Sequence, residues 1–216
     1  MTGSTTSPRP LVIAVDGPAA SGKGTIARAL AKHFGLPHMD TGLLYRAVAL
    51  NLFRFGGDPG NELEAVRACD LSAVSLEDEE LRSEIVGSYA SRISVYPAVR
   101  SNLLERQRAF AAQAGGAVLD GRDIGTVIIP DADVKLFVTA APEVRANRRL
   151  AELTGRGMNV HYDEILADIR ARDSRDSGRD TAPLVQADDA LLLDTSEMNV
   201  GEAIAAAVAL VERRIG

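Results

Sequence analysis

The chain has 216 residues, of which 46% are hydrophobic, and a formal net charge of −6 at pH 7. This length suits one domain with a sizeable core and is too short for two. The negative charge argues against sequence-independent binding of polymeric nucleic acid, which requires a basic face. No apolar run approaches the length of a bilayer crossing, so we expect no membrane partner.

Residues 1–10 are polar and contain proline, without the apolar core of a signal peptide. We expect them to form a flexible tail ahead of one folded domain over residues 11–216. The single cysteine, Cys69, cannot form an internal disulfide, and we interpret it as a small apolar residue. These features predict a cytoplasmic location.

Residues 11–25 form an apolar run, a glycine-bracketed loop and the start of a helical pattern. The run has the length of a buried parallel strand. The spacing Gly17-x4-Gly22-Lys23 matches the P-loop, in which backbone N–H groups and a helix N-terminus surround phosphates while the lysine reaches the outer phosphates. The predicted phosphate-binding residues are Gly17, Pro18, Ala19, Ala20, Ser21, Gly22, Lys23, Gly24 and Thr25.

The metal position of this loop departs from the usual pattern, which has serine or threonine directly after the lysine as a Mg²⁺ ligand. Gly24 takes that position, and Thr25 follows it, which makes Thr25 the candidate metal ligand. Asp16, at the end of the predicted strand, either orients water molecules around Mg²⁺ or caps the loop. Asp120 is either a structural residue at a strand end or a metal ligand.

Strand and helix patterns alternate along the rest of the chain. Strands are predicted over 11–16, 37–40, 117–120, 134–139 and 190–194, the second being a brief strand or a loop. Helices are predicted over 21–34, about 42–55, from 97 to about 114, from 142, over 162–172 and over 200–215. Gly35 is expected to end the first helix in a left-handed conformation, and Thr41 to cap the second. Right-handed crossovers then give an α/β fold with a doubly wound, five-stranded parallel sheet.

Two segments stand apart from this alternation. Residues 58–98 are largely acidic, with helix-like patches at 63–68 and 79–91, and we interpret them as a small accessory region. Residues 143–180 contain eight arginines among eight acidic residues, so arginines are gathered where a polyanion can bind. A polar loop is expected over 121–126, at the edge of the sheet where open α/β folds bind ligands.

Five segments together resemble bacterial cytidylate kinases, in the order and at about the spacing of that family. They are GPAASGKGT (17–25), DTGLLYR (40–46), DGRDIGTVIIPDADVKLFV (120–138), RANRR (145–149) and RDSRDSGRDTAPL (172–184). The resemblance implies a P-loop kinase with a small monophosphate-binding insert over about 58–98 and an arginine-rich lid over about 145–180. It implies ATP-dependent phosphorylation of CMP and dCMP by a monomer, with Mg²⁺.

The same resemblance implies roles for individual residues. Arg46, Arg122 and Arg179 would bind the acceptor phosphate; Thr41, Arg172 and Asp176 the ribose; Ser91, Arg100 and Asp123 the cytosine. Tyr45 either packs in the core or lines this pocket. Lid residues would be Arg145, Arg148 and Arg149, with Arg156 and Arg175 as further candidates, and the catalytic set would be Lys23, Arg122, Arg148 and Arg179. The family usually has a longer insert, containing strands, where this chain has residues 71–81. Ser91 and Arg100 follow this insert, so their alignment with the family depends on its length.

The chemistry agrees with these roles. Transfer between phosphates needs alignment, Mg²⁺ and cations rather than a general base, and arginine binds phosphate oxygens with two hydrogen bonds. A carboxylate at Asp123 accepts a hydrogen bond from the cytosine amino group, whereas uracil presents an acceptor there.

Other interpretations stay open. Each of these arginines could instead form a solvent-exposed ion pair on a helix, without a role in binding. A kinase of a small metabolite such as shikimate is a competing function, but it gives no reason for ribose and base contacts. A nucleotide-dependent switch is another, but we find neither a water-positioning residue nor a guanine-specific motif after the P-loop. The three histidines lack metal-like spacing, and we assign them no role.

Overall fold

A computed structural model describes residues 10–216. Its centre is a sheet of five strands: β1 (Val12–Asp16), β2 (His38–Asp40), β3 (Ala117–Gly121), β4 (Val134–Thr139) and β5 (Leu191–Asp194). The strand order is β2-β3-β1-β4-β5, and every pairing is parallel. The predicted α/β fold is confirmed. The predicted tail lies outside the described residues, apart from Pro10.

The helices connect these strands and flank the sheet. They are α1 (Lys23–Phe34), α2 (Thr41–Arg54), α3 (Glu62–Arg67), α4 (Glu84–Ile93), α5 (Pro97–Ala111), α6 (Pro142–Gly155), α7 (Tyr162–Gly178) and α8 (Val200–Ile215). A 3₁₀ helix covers Glu79–Arg82, and a π-helical segment covers Ile124–Ile128. Within residues 10–216, no helix combines the length and the apolar character that a membrane span would need.

The central strand β1 shows how the sheet is buried on both faces. Ile13 and Val15 pack with apolar residues of α1 and α8 in one cluster. Ala14 points to the opposite face and packs with residues of α5 and the π-helical segment. Successive side chains of a strand point to opposite faces, so a strand covered on both sides is apolar throughout.

The helix ends show where local signals succeed and where they fail. Gly35 is left-handed, with φ 67°, and its N–H donates to the carbonyl of Ala31, as predicted. The cap predicted at Thr41 is wrong, because Thr41 is the first residue of α2 and Asp40 precedes the helix. The Thr41 hydroxyl instead donates to the carbonyl of Asp120, 2.8 Å away, since β2 and β3 end side by side.

Two further boundaries differ from prediction. The loop expected over 121–126 is partly helical, because the π-helical segment begins at Ile124. Helix α7 continues to Gly178, past the predicted end at 172.

The accessory region is helical. It contains α3, the 3₁₀ helix and α4, and their buried residues share a core with α2 and α5. Leu81 and Ile93 are fully buried in this core. The two helix-like patches are therefore confirmed. In the described residues 58–98 there is none of the strand structure that the resemblance associates with this insert.

Asp16 joins the end of β1 to the π-helical segment. Its two carboxylate oxygens accept hydrogen bonds from the backbone N–H groups of Ile124 and Gly125, both at 2.8 Å. Burial raises the pKa of Asp16 to about 6, although these two hydrogen bonds oppose the shift. These bonds go to the segment after β3 and not to the phosphate loop, and the role of Asp16 towards Mg²⁺ stays a prediction.

We predict that Leu81→Ala lowers the free energy of unfolding by about 2–5 kcal/mol, because a buried leucine is replaced by a cavity. Leu63 on α3 is the matched control, since it is 72% exposed. Leu63→Ala should change the free energy of unfolding by less than about 0.5 kcal/mol. Chemical denaturation measures both, and equal effects would contradict the burial assigned to the accessory region.

We predict that Asp16 makes stability depend on pH. Its pKa is about 6 in the folded protein against a usual value of 3.8, so the folded state binds more protons between these values. The contribution of Asp16 to stability is therefore lost as the pH rises through about 6.

The measurement is the difference in unfolding free energy between wild type and Asp16→Asn at pH 5 and pH 7. The wild type should lose about 1–2 kcal/mol relative to the variant over this interval. A difference that stays constant with pH would contradict a raised pKa.

Candidate active site

The predicted phosphate loop lies between β1 and α1, and its backbone conformation requires small residues. A Cβ on Gly17 would lie 2.0 Å from the carbonyl oxygen of Val138. Ala20 and Gly22 both have positive φ, at 58° and 89°. The loop then enters α1 at Lys23, and the residue before the helix, Gly22, has no side chain that could cap it. An uncapped helix N-terminus favours a bound anion.

The amine of Lys23 is buried among charges from several elements. Burial and the positive charge of Arg122 lower its pKa to about 8, whereas Asp120 and Asp40 act in the opposite direction. Lys23 therefore lies where the phosphate loop meets the carboxyl ends of β2 and β3. A bound anion there would favour the charged form of the lysine.

Oxygen ligands suitable for Mg²⁺ lie beside this lysine. Burial and the negative charge of Asp120 raise the pKa of Asp40. A Cβ on Gly24, where the usual P-loop has its hydroxyl, would lie 3.6 Å from Asp120 Oδ2. The hydroxyl of Thr25 accepts a hydrogen bond from Arg28 Nη2 at 3.4 Å.

The described chain contains no group of three or more His, Cys, Asp or Glu residues arranged as a metal site. A hydroxyl and two carboxylates nevertheless fit Mg²⁺, which keeps several ligands from phosphates and water in kinases. The assignment of Thr25 as a ligand remains a prediction. His38, to which we gave no role, donates through Nε2 to Asp120 Oδ1 at 2.7 Å and orients that carboxylate.

Six arginines approach the same edge of the sheet from different elements, and we call them the arginine cluster. They are Arg46 on α2, Arg100 on α5, Arg122 after β3, Arg172 and Arg175 on α7, and Arg179 just beyond α7. On α7, Arg172, Arg175 and Asp176 share a side because they are three and four residues apart. The fold thus gathers most of the residues predicted to bind substrate.

Asp176 is one of two buried carboxylates within the cluster. It accepts a hydrogen bond from Arg122 Nε at 2.7 Å. Burial raises the pKa of Asp176, but the charges of Arg122 and Arg172 outweigh burial, so the pKa lies below its usual value. The carboxylate is therefore ionised and fixes the direction of Arg122.

Asp123 is the second buried carboxylate. It accepts a hydrogen bond from Arg100 Nη2, and Arg179 Nη2 lies 3.8 Å from its other oxygen. Burial raises its pKa, and the three neighbouring arginines oppose that shift. The predicted base-reading residues Arg100 and Asp123 are thus in contact.

Tyr45 completes this corner of the cluster. The guanidinium of Arg100 lies 5.8 Å from the centre of the Tyr45 ring. Burial raises the pKa of the Tyr45 hydroxyl to about 12, and the nearby side chains of Arg100 and Gln107 act in the opposite direction. Tyr45 packs against the core that contains α2, as one of the two interpretations predicts. Its role as a residue that lines the substrate pocket stays a prediction. Sequence analysis missed Gln107, although it follows Arg100 by two turns of α5.

Two buried N–H groups of the cluster have no hydrogen-bond partner among the described residues. They are Arg172 Nε and Arg179 Nη2. Burial and the charge of Arg122 lower the pKa of Arg172 to about 10. A charged donor that is buried without an acceptor costs about 1–3 kcal/mol or more. Such groups indicate a place for an anionic ligand.

Arg46 makes different contacts from those of its neighbours. Its Nη1 donates to the carbonyl oxygens of Leu81 at 2.6 Å and Ser83 at 3.3 Å. The residue therefore ties α2 to the accessory region. Its predicted role at the acceptor phosphate remains untested.

The arginines expected in the lid reach different partners. Arg145 is buried and pairs through both terminal nitrogens with Asp173, at 2.9 and 2.6 Å. Arg149 pairs with Glu84 of the accessory region and with Glu152, and the remaining candidate, Arg156, lies 3.8 Å from Glu152. All three arginines form ion pairs in this structure, but the pair of Arg145 is buried and is therefore not the solvated pair of the alternative interpretation.

Arg148 binds the segment that follows β5. It donates to the carbonyl oxygen of Thr195 at 2.6 Å and to its hydroxyl at 3.0 Å. The Thr195 hydroxyl in turn donates to the carbonyl oxygen of Ser21 in the phosphate loop, 3.2 Å away. Sequence analysis missed Thr195, because nothing near it in the chain indicates a partner 174 residues earlier.

Comparison with known proteins gives one family. The family model described as cytidylate kinase matches residues 13–213. A cytidylate kinase from Xanthobacter autotrophicus is 59% identical over 206 residues, which cover 94% of this chain and 98% of the relative. A cytidylate kinase from Azorhizobium caulinodans is 54% identical over 208 residues, which cover 95% of this chain and 100% of the relative.

Solved structures support the fold alone. A gluconokinase from Sinorhizobium meliloti superposes with a TM-score of 0.54 at 14% identity, covering 94% of this chain and 93% of that one. TT1252 from Thermus thermophilus gives a TM-score of 0.51 at 20% identity, covering 96% and 99%. The sequence relatives carry the assignment further, and they place this chain in the cytidylate kinase family.

Proposed function

We propose that this chain transfers the terminal phosphoryl group of ATP to CMP and dCMP, giving CDP and dCDP. The observation that carries the proposal is the arginine cluster, which lies beside the phosphate loop and holds two buried N–H groups without acceptors. The names of the relatives support the same activity.

The phosphate loop would bind the donor. Its backbone N–H groups and the N-terminus of α1 would surround the triphosphate, and Lys23 would reach the outer phosphates. Mg²⁺, when bound, neutralises charge on the phosphates and aligns them. Thr25, with Asp40 and Asp120 nearby, would hold the ion.

The arginine cluster would bind the acceptor. The attacking oxygen of a monophosphate is already ionised, so no general base is needed. Arg122 and Arg179 would fix the acceptor phosphate and, together with Lys23, stabilise the charge of the transferring group. Asp176 supports this role because it holds Arg122 in place.

The corner formed by Arg100, Asp123 and Ser91 would read the base. Asp123 would accept a hydrogen bond from the cytosine amino group, while Arg100 and Ser91 would donate to N3 and O2. Thr41, Arg172 and Asp176 would contact the ribose. Uracil presents an acceptor in place of the cytosine amino group and an N3–H donor in place of the N3 acceptor, and it should therefore bind less tightly.

Two segments would move around the bound nucleotides. We propose that residues 58–98 form the monophosphate-binding insert and residues 145–180 the lid. The pair formed by Arg149 and Glu84 links these two segments, and closure of the lid would exclude water from the reaction. The monomeric state stays a prediction of the family resemblance, and the cytoplasmic location stays a prediction from the sequence.

The experiment is to measure ADP production with Mg²⁺-ATP and each of CMP, dCMP, UMP, AMP, GMP and shikimate. We expect rapid turnover with CMP and dCMP and much slower turnover with UMP. Turnover with shikimate alone would favour a metabolite kinase. Tight ATP binding without turnover of any acceptor would contradict the proposal and favour a nucleotide-dependent switch.

A further inference from the structure

Arg175 contacts the hydroxyl of Ser91 in the structure. Its Nε and Nη2 lie 3.4 and 3.3 Å from Ser91 Oγ, which connects α7 to α4. Ser91 is 4% exposed. The family resemblance suggested Arg175 only as a candidate lid residue over the triphosphate, so this contact with a predicted base-reading residue was not expected.

The contact fixes the polarity of the serine hydroxyl. A guanidinium has five N–H donors and no acceptor, whereas a hydroxyl has one donor and two acceptor positions. Ser91 Oγ can therefore only accept from Arg175. Its hydrogen is directed away from Arg175 and remains available for an acceptor in the site.

Space for a ligand exists beside this pair. Arg175 and Arg179 line an open cleft of about 470 Å³ at the end of α7, which is also lined by Val95 of the α4–α5 connection and by Pro97, the first residue of α5. Arg179 also lies near Asp123, so the cleft adjoins the predicted base-reading corner. A pyrimidine bound at this corner would be close to both Ser91 and Arg175.

We infer that Arg175 is a positioning residue that sets base specificity by holding the Ser91 hydroxyl as a hydrogen-bond donor. Cytosine presents an acceptor at N3, which suits a donor, whereas uracil presents N3–H and would meet the serine hydrogen. If Arg175 is removed, the hydroxyl can turn and accept from N3–H. This inference rests on the proposed function, since it assumes that the site binds a pyrimidine monophosphate.

The test is equilibrium binding of CMP and UMP, by calorimetry, in the absence of ATP. Without ATP, a residue that acts only on the triphosphate cannot change the result. We expect Arg175→Met to reduce the ratio of the UMP Kd to the CMP Kd by about five- to tenfold, the equivalent of one hydrogen bond. Arg175→Lys, which keeps donors only, should retain more of the ratio than Arg175→Met.

A matched control and a second background make the result specific. Arg170 lies on the same helix, is exposed, and pairs with Glu143; Arg170→Met should leave the ratio unchanged. In a Ser91→Ala background, Arg175→Met should have no further effect on the ratio, because Arg175 acts through that hydroxyl.

Each alternative outcome has a different meaning. An unchanged ratio in Arg175→Met, with or without weaker ATP binding, would overturn the inference and leave the proposed function intact. An equal change in the Ser91→Ala background would also overturn it, because Arg175 would then contact the base itself. Failure of the wild type to prefer CMP would instead count against the proposed function.

Discussion

The site contains more buried positive charge than its own carboxylates can neutralise. The rest of the structure depends on this constraint. Five arginines of the cluster and Lys23 supply six buried or half-buried cations, whereas the remaining member, Arg175, is exposed. The carboxylates nearest to these cations are Asp40, Asp120, Asp123 and Asp176. Burial, followed by the like charge of Arg122, lowers the pKa of Lys23 and of Arg172. Such an arrangement is costly without a ligand, and binding of an anion relieves the cost.

The fold tolerates the electrostatic repulsion among these cations because different helices and strands hold them in place. Arg122 follows a central strand, Arg100 comes from α5, and Arg172 comes from α7. Contacts outside the cluster hold these elements together: Asp16 binds the π-helical segment, and Arg145 joins α6 to α7 through Asp173. The arginines of the site repel one another, and paired charged groups outside the site hold their elements in place. Such a division is expected where the needs of function oppose stability.

The sequence predicted much of this arrangement because its signals are local. The apolar strand, the glycine spacing of the phosphate loop and the left-handed Gly35 each follow from neighbouring residues. The segment after residue 172 lacks such local signals. It is densely charged, yet Asp176 is only 5% exposed, because Arg122 compensates its charge from 54 residues away.

Long-range partners explain the other differences. Thr41 is a typical capping residue by type, but a carbonyl 79 residues later in the chain binds its hydroxyl. Spacing placed Arg145, Arg148 and Arg149 on one side of a helix, but it could not show that Asp173, Thr195 and Glu84 bind them. Periodicity in the sequence shows which residues share one face of a helix. Only the three-dimensional structure shows which residues that face contacts.

The central claim is that an excess of buried positive charge over the neighbouring carboxylates makes the acceptor phosphate necessary for tight binding. Calorimetric titration of the wild-type protein with CMP and with cytidine tests it most directly, because the two ligands differ only in the phosphate. The account predicts that CMP binds at least about 100-fold more tightly, which corresponds to one or two hydrogen bonds between charged groups. Equal affinities for CMP and cytidine would contradict it.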